Sequence, residues 1–146
     1  MDTYQTLNEV LVNLFRDIMD IEQKAIITDE FKDLTNNDMH VIEAIGTGTP
    51  RNMSAIARLL SVTVGTLTIA MNSLVKKGYV IRQRGTIDRR EVYICLSEKG
   101  RKAYEHHAGF HKAMIDSVSD ELTQEEMEML IRTLTKLNRW FRSWQA

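Results

Sequence analysis

The chain has 146 residues, 43% of them hydrophobic, with one proline, one cysteine and a net charge of −1. That length supports one sizeable core or two small modules sharing helices, and no run approaches the ~18 uncharged apolar residues of a membrane span. The lone Cys95 excludes an intramolecular disulfide framework, and the start MDTYQTLNEV lacks the basic and apolar regions of a signal peptide; a cytoplasmic protein with no membrane role is expected.

From Leu7 apolar residues recur at Val10, Leu11, Leu14, Phe15, Ile18 and Ile21, a helical spacing with one broad stripe. Phe31–Asp33 breaks it. Thr35 and Asp38 then have capping-box spacing, and Leu34 and Met39 sit where a hydrophobic staple would close. This second helix carries Met39, Val41, Ile42 and Ile45 and stops at Gly46. The loop Gly46–Arg51 contains GTGTP but not the lysine of a phosphate-binding loop, and reads as a plain turn.

Asn52 can cap a short helix with Met53, Ile56, Ala57 and Leu60; after a turn at Ser61–Val62, Thr63 can cap another that runs to Lys77 and ends at Gly78. Its expected buried face is Val64, Leu67, Ala70, Met71 and Leu74, and its outward face Gly65, Thr66, Thr68, Ile69, Asn72, Ser73 and Lys76. Tyr79–Arg84 and Glu91–Leu96 read as the strands of a hairpin tipped by Gly85–Arg90. Ser97 can cap a long helix through about Ser119. Thr123–Glu126 is a capping box with Leu122 and Met127 as its staple, and the last helix has a stripe of Met127, Leu130, Ile131, Leu134, Leu137, Phe141 and Trp144.

Charge is unevenly placed along these elements. Arg51 to Lys102 holds 11 Lys and Arg against 3 Asp and Glu, a net +8, which leaves −9 for the remainder. Phosphates are neutralised locally, so this segment points to double-stranded DNA. Two short helices joined by a tight turn place the second in the major groove. Thr63, Thr66, Thr68 and Asn72 offer hydrogen bonds to bases or phosphates, Gly65 permits close approach, and Ile69 can meet a thymine methyl. Lys76, Lys77, Arg82, Arg84, Arg89 and Arg90 supply phosphate and minor-groove contacts, with Asp88 expected to orient a neighbouring arginine.

The helix-turn-helix, the strand YVIRQR, the tip DRR and the restart LSEKGRKAY resemble the winged-helix transcription regulators of the MarR family. More narrowly, FKD at Phe31–Asp33, MHVIEAIG at Met39–Gly46, VTVGTLT at Val62–Thr68, KKGYV at Lys76–Val80 and FHKAM at Phe110–Met114 are similar to the FabT-type repressors of bacterial fatty-acid synthesis. The resemblance implies a mainly α fold with a small β-hairpin wing. Residues 34–97 would form the winged helix-turn-helix, and residues 1–33 with 98–146 a helical dimerisation region. The apolar stripes of the first and last helices agree, being wider than one winged helix can cover. A homodimer predicts a pseudo-palindromic operator with half-sites about one turn, ~34–36 Å, apart. Many members carry a basic residue near Ile69, so their base contacts do not transfer here.

For this branch the resemblance also implies an effector: a long acyl chain delivered on acyl carrier protein, acting as co-repressor. Met19, Met39, Met71 and Met114, with Ile42 and Phe110, are candidates to line its pocket, methionine being an adaptable apolar lining. The alternative is zinc. His107 and His111 are one turn apart on a helix, Glu22 and His40 are plausible further ligands, and the set resembles zinc-sensing MarR repressors. Cys95 lies in a strand and reads as a packed thiol rather than an oxidant sensor. An enzyme is not expected. A small metallohydrolase using His107, His111 and Glu105 is the remote alternative, and no HExxH, nucleophile elbow or Gly-rich cofactor loop supports it.

Overall fold

A computed structural model describes residues 2–26, 28 and 30–144. The first helix, α1 (Thr3–Ile26), starts earlier than its apolar stripe. Asp2 and Gln5 exchange side-chain and backbone hydrogen bonds across its first turn, a cap the hydrophobic pattern could not show. α2 (Asn36–Ile45) is closed by the expected box: Thr35 Oγ1 accepts from Asp38 N–H at 3.0 Å, and Asp38 accepts from Thr35 N–H at 3.1 Å. Leu34 and Met39 are both buried as a staple requires. The helix stops where Gly46 takes φ +69°, a conformation open to glycine.

α3 (Met53–Leu60) is capped by Asn52, and α4 (Val64–Lys77) by Thr63, with Gly78 in the left-handed conformation at its end. The strands β2 (Val80–Arg84) and β3 (Val92–Leu96) pair antiparallel. One strand was not foreseen. Arg51–Asn52, within and just past the loop read as a plain turn, forms β1 and pairs with Ile94 and Tyr93 of β3, giving a three-stranded order β1-β3-β2. Two residues are too few to display alternation, so only the partner strand reveals it. The long helices α5 (Glu98–Glu121) and α6 (Gln124–Trp144) follow, and Thr123 and Glu126 form the expected capping box between them.

The chain divides into two compact units, residues 1–110 and 111–146. In the first, Ile42, Ile56, Met71, Leu74, Tyr79 and Ile94 are fully buried in one core shared by α2, α3, α4 and the sheet. Leu67, Met71 and Leu74 supply the buried face of α4, but Val64 is 45% exposed rather than packed. It occupies the first helical position, before the packed stripe has come round to the core. In the second unit no residue of α6 is buried. Among the described residues no single helix is long and apolar enough to cross a membrane.

A polar cluster ties the α1–α2 linker to the end of α4. Lys77 Nζ donates to the Asp33 carbonyl at 2.7 Å and to Asp38 Oδ2 at 3.0 Å, while Tyr79 donates its hydroxyl to Asp33 Oδ1 at 2.6 Å. Lys99 lies 4.3 Å from the Tyr79 ring centre and 3.9 Å from Asp33 Oδ2. The Tyr79 hydrogen bond holds the Asp33 carboxyl below its ordinary 3.8. Burial, with that same bond, pushes the Tyr79 hydroxyl well above its ordinary 10.0. The Asp33 contribution to stability is therefore full above pH 3.8 and lost as pH falls through its lower folded-state value. That of Tyr79 is full below pH 10.0 and declines above it, where only the unfolded chain gives up the proton. Tyr79→Phe should flatten the alkaline decline in denaturant titrations and leave the other acid-sensitive carboxylates unaffected. An alkaline limb identical to wild type would contradict this coupling.

Candidate nucleic-acid interface

α3 and α4 meet at 106°, set by a three-residue break in which Ser61 takes the left-handed φ of 55°. That is the geometry of a helix-turn-helix, in which the first helix braces the second. α4 is anchored through Leu67, Met71 and Leu74, which leaves Gly65, Ile69, Asn72 and Lys76 along one exposed stripe. Ile69 is 75% exposed, a cost in water that contact with a base methyl would relieve.

The threonines are partly engaged at home. Thr63 Oγ1 accepts from Thr66 N–H at 3.1 Å and donates to Thr66 Oγ1 at 2.9 Å, and Thr68 donates to the Val64 carbonyl at 2.8 Å. Thr66 keeps its own proton to donate outward; Thr63 acts first as the helix cap. Lys76 is exposed, whereas Lys77 is committed to Asp33 and Asp38. The structure thus separates two adjacent lysines read from sequence as equal phosphate contacts. Arg82 leaves its strand toward α4 and donates to Asn72 Oδ1 at 2.6 Å.

At the wing tip, Asp88 does orient an arginine. Its Oδ1 accepts from the Arg90 backbone N–H at 2.9 Å and from Nε at 3.2 Å, and its Oδ2 from the guanidinium end at 3.2 Å. This bond holds the Asp88 carboxyl below the usual range. Gly85 permits the tight return: a Cβ there would lie 2.4 Å from the Asp88 carbonyl oxygen. Arg84 and Arg89 carry no ion pair among the described residues and remain available to an anion. Arg89→Ala should therefore flatten the salt dependence of DNA binding by about one unit of log–log slope. A slope unchanged in fluorescence titrations would remove the wing from the interface.

The candidate effector residues fall into different surroundings. Met39, Ile42 and Met71 are fully buried packing residues of the core; Met19 and Phe110 are half-buried in the first unit, and Met114 is half-buried in the second. Of the metal candidates, Glu22 lies 3.3 Å from His107 Nε2, and His107 is buried. The nearer carboxylate is one the sequence reading missed: Glu43, 2.5 Å from the same nitrogen. His40 instead lines an open cavity of about 590 Å³ with Arg51, Leu59 and Leu60. His111 stands one turn beyond His107 on α5 and belongs to the second unit. Cys95 is a free, half-buried thiol facing its β2 partner Ile81 across the hairpin.

Residues 23–107 match the family described as transcriptional regulator SarA/Rot. The chain is 29% identical over 102 residues to the HTH-type transcriptional regulator PchR of Bacillus subtilis, covering 68% of this chain and 60% of PchR. The crystal structure of Streptococcus pneumoniae FabT in complex with DNA superposes with a TM-score of 0.90 at 35% identity, covering 97% of this chain and 99% of FabT. A MarR family transcription regulator, SP03579, shares the fold at a TM-score of 0.80 and 14% identity, over 97% of this chain and 91% of its own.

Proposed function

This chain belongs to the SarA/Rot family of transcriptional regulators and has a MarR-type winged-helix fold, and from that premise we propose that it is a homodimeric repressor that reads a palindromic operator. The family is one of regulators, which sets aside the metallohydrolase alternative. The observation that carries the reading is the pairing of an exposed, largely uncharged stripe on α4 with a cationic wing whose Arg90 is aligned by Asp88. One surface reads bases and the other grips the phosphate backbone. Dimerisation is supported by the apolar faces that α1 and α6 leave exposed, including Phe15 at 70% and Ile131 at 58%.

The targets we assign are fatty-acid biosynthesis genes, with acyl-acyl carrier protein as the co-repressor that tightens operator binding. This rests on the motifs shared with FabT-type repressors and on the likeness to FabT along the chain. Acyl-loaded carrier protein should raise operator affinity by a coupling of about 1–3 kcal/mol in gel-shift titrations, and the unloaded carrier should not. Equal effects of both forms would defeat the proposal.

One observation favours a second reading, zinc sensing. Two carboxylates, Glu22 and Glu43, converge on the buried His107, and imidazole with carboxylate oxygen is a donor set that zinc accepts. Native mass spectrometry of protein purified from its host separates the two by the mass of what remains bound. If chelation alone releases operator and acyl-loaded carrier changes nothing, zinc is the effector.

A further inference from the structure

The hydrogen bond between Asn72 and Arg82 joins the two parts of the interface. Asn72 stands on the exposed stripe of α4, Arg82 is exposed on β2, and Arg82 donates to Asn72 Oδ1 at 2.6 Å. A guanidinium has donors only, so this bond fixes the amide: its oxygen faces Arg82 and its NH2 faces away. A free asparagine offers an acceptor beside a donor, which complements N6 and N7 of adenine. Here that oxygen is held by a cation, and the guanidinium places further N–H donors beside the amide NH2. The two side chains together present a donor-rich, positively charged edge. The base whose major-groove edge offers two acceptors, N7 and O6, is guanine. An adenine would set its N6 donor against that edge.

We infer that Asn72 and Arg82 act as one specificity-determining pair that reads a guanine in each half-site, an inference that rests on α4 entering the major groove. The neighbouring Arg84 makes no comparable side-chain bond among the described residues, so the pairing singles out Arg82 from the other wing arginines. Selection of bound duplexes from a randomised pool tests it, using the purified full chain, Arg82→Ala and Asn72→Ala. Both positions are on the surface, and unchanged far-UV circular dichroism will establish that the variants fold.

The wild type should select a site with a fixed G·C pair, and replacing that pair with A·T should weaken binding about tenfold, the scale of one good base contact. Arg82→Ala should shift the preference at that position toward A·T, because the freed amide can then accept from adenine N6 and donate to N7. Asn72→Ala should lose the preference there without acquiring the new one. If Arg82→Ala keeps the wild-type base profile and only binds more weakly, Arg82 is a phosphate contact and the pair is overturned. If the wild-type chain selects no sequence, α4 is not a base reader, and the pair falls together with the proposed function.

Discussion

Gly100→Ala should destabilise the protein by about 3 kcal/mol or more, lowering the midpoint of thermal unfolding by roughly 10 °C. A Cβ at this position would lie 2.1 Å from the Tyr79 carbonyl oxygen, 3.1 Å from its carbonyl carbon and 3.2 Å from Leu96 Cβ. The nearest obstacle is backbone, so no rotamer change relieves it. α5 would have to withdraw from the α4–β2 junction, to which Ser97 ties its first turn and where Lys99 Nζ donates to the Lys77 carbonyl at 3.2 Å. Ser97 N–H donates to the Tyr79 carbonyl at 3.0 Å, Ser97 Oγ donates to the Gly78 carbonyl at 2.5 Å, and Gly100 N–H donates to Ser97 Oγ at 3.1 Å. Withdrawal would also uncover Tyr79, which is fully buried. An internal control lies on the same helix. Gly109 has nothing within 4 Å of an added Cβ, so Gly109→Ala should stabilise by about 0.5–1 kcal/mol through helix propensity alone. Equal thermal midpoints for the two variants would show that the close approach at Gly100 is not structural.

Gly100 also shows where the sequence is legible and where it is not. Thr35 with Asp38, Asn52, Thr63, Gly78 and Thr123 with Glu126 were all readable, because each cap is decided within three or four residues of chain. The exposed stripe of α4 was readable for a similar reason: helical periodicity separates Leu67, Met71 and Leu74 from Gly65, Ile69 and Asn72. The Asp88–Arg90 alignment spans two residues and was expected. What stayed hidden depends on partners distant in the chain. Tyr79 finds Asp33 across 46 residues, Lys77 finds Asp38 across 39, and β1 exists only because β3 lies beside it. Glu43 was missed as a neighbour of His107 because nothing local distinguishes it from any helical glutamate facing solvent. Lys76 and Lys77 are identical to a sequence reader, and only the placement of Asp38 assigns them to different work.

In the homodimer proposed above, Leu134→Glu should leave monomers and reduce operator affinity by at least ~100-fold, the loss expected when two linked half-site contacts become independent. In the single chain no residue of α6 is fully buried: Leu134 is 52% exposed, Ile131 58%, Phe141 48% and Trp144 67%. α1 buries Ile26 at its end but leaves Leu7 56% exposed, Leu14 53% and Phe15 70%. Contiguous apolar faces of this kind are held out of water in stable proteins, and a second copy offers the same surface in return. A carboxylate at position 134 would be stripped of water with no partner opposite, a penalty large enough to oppose association. Because Leu134 packs little within its own chain, the monomer should keep its helical circular dichroism and its non-specific, salt-sensitive affinity for DNA. Lys136→Glu, a larger charge change two residues along the same helix but away from the apolar stripe, should leave the dimer intact. Sedimentation velocity reads the association state, and fluorescence anisotropy with full and half operators reads the affinity. If Leu134→Glu stays dimeric, α6 is not the interface. If it becomes monomeric yet binds the full operator as tightly as wild type, the two half-sites are not being read by a linked pair of subunits.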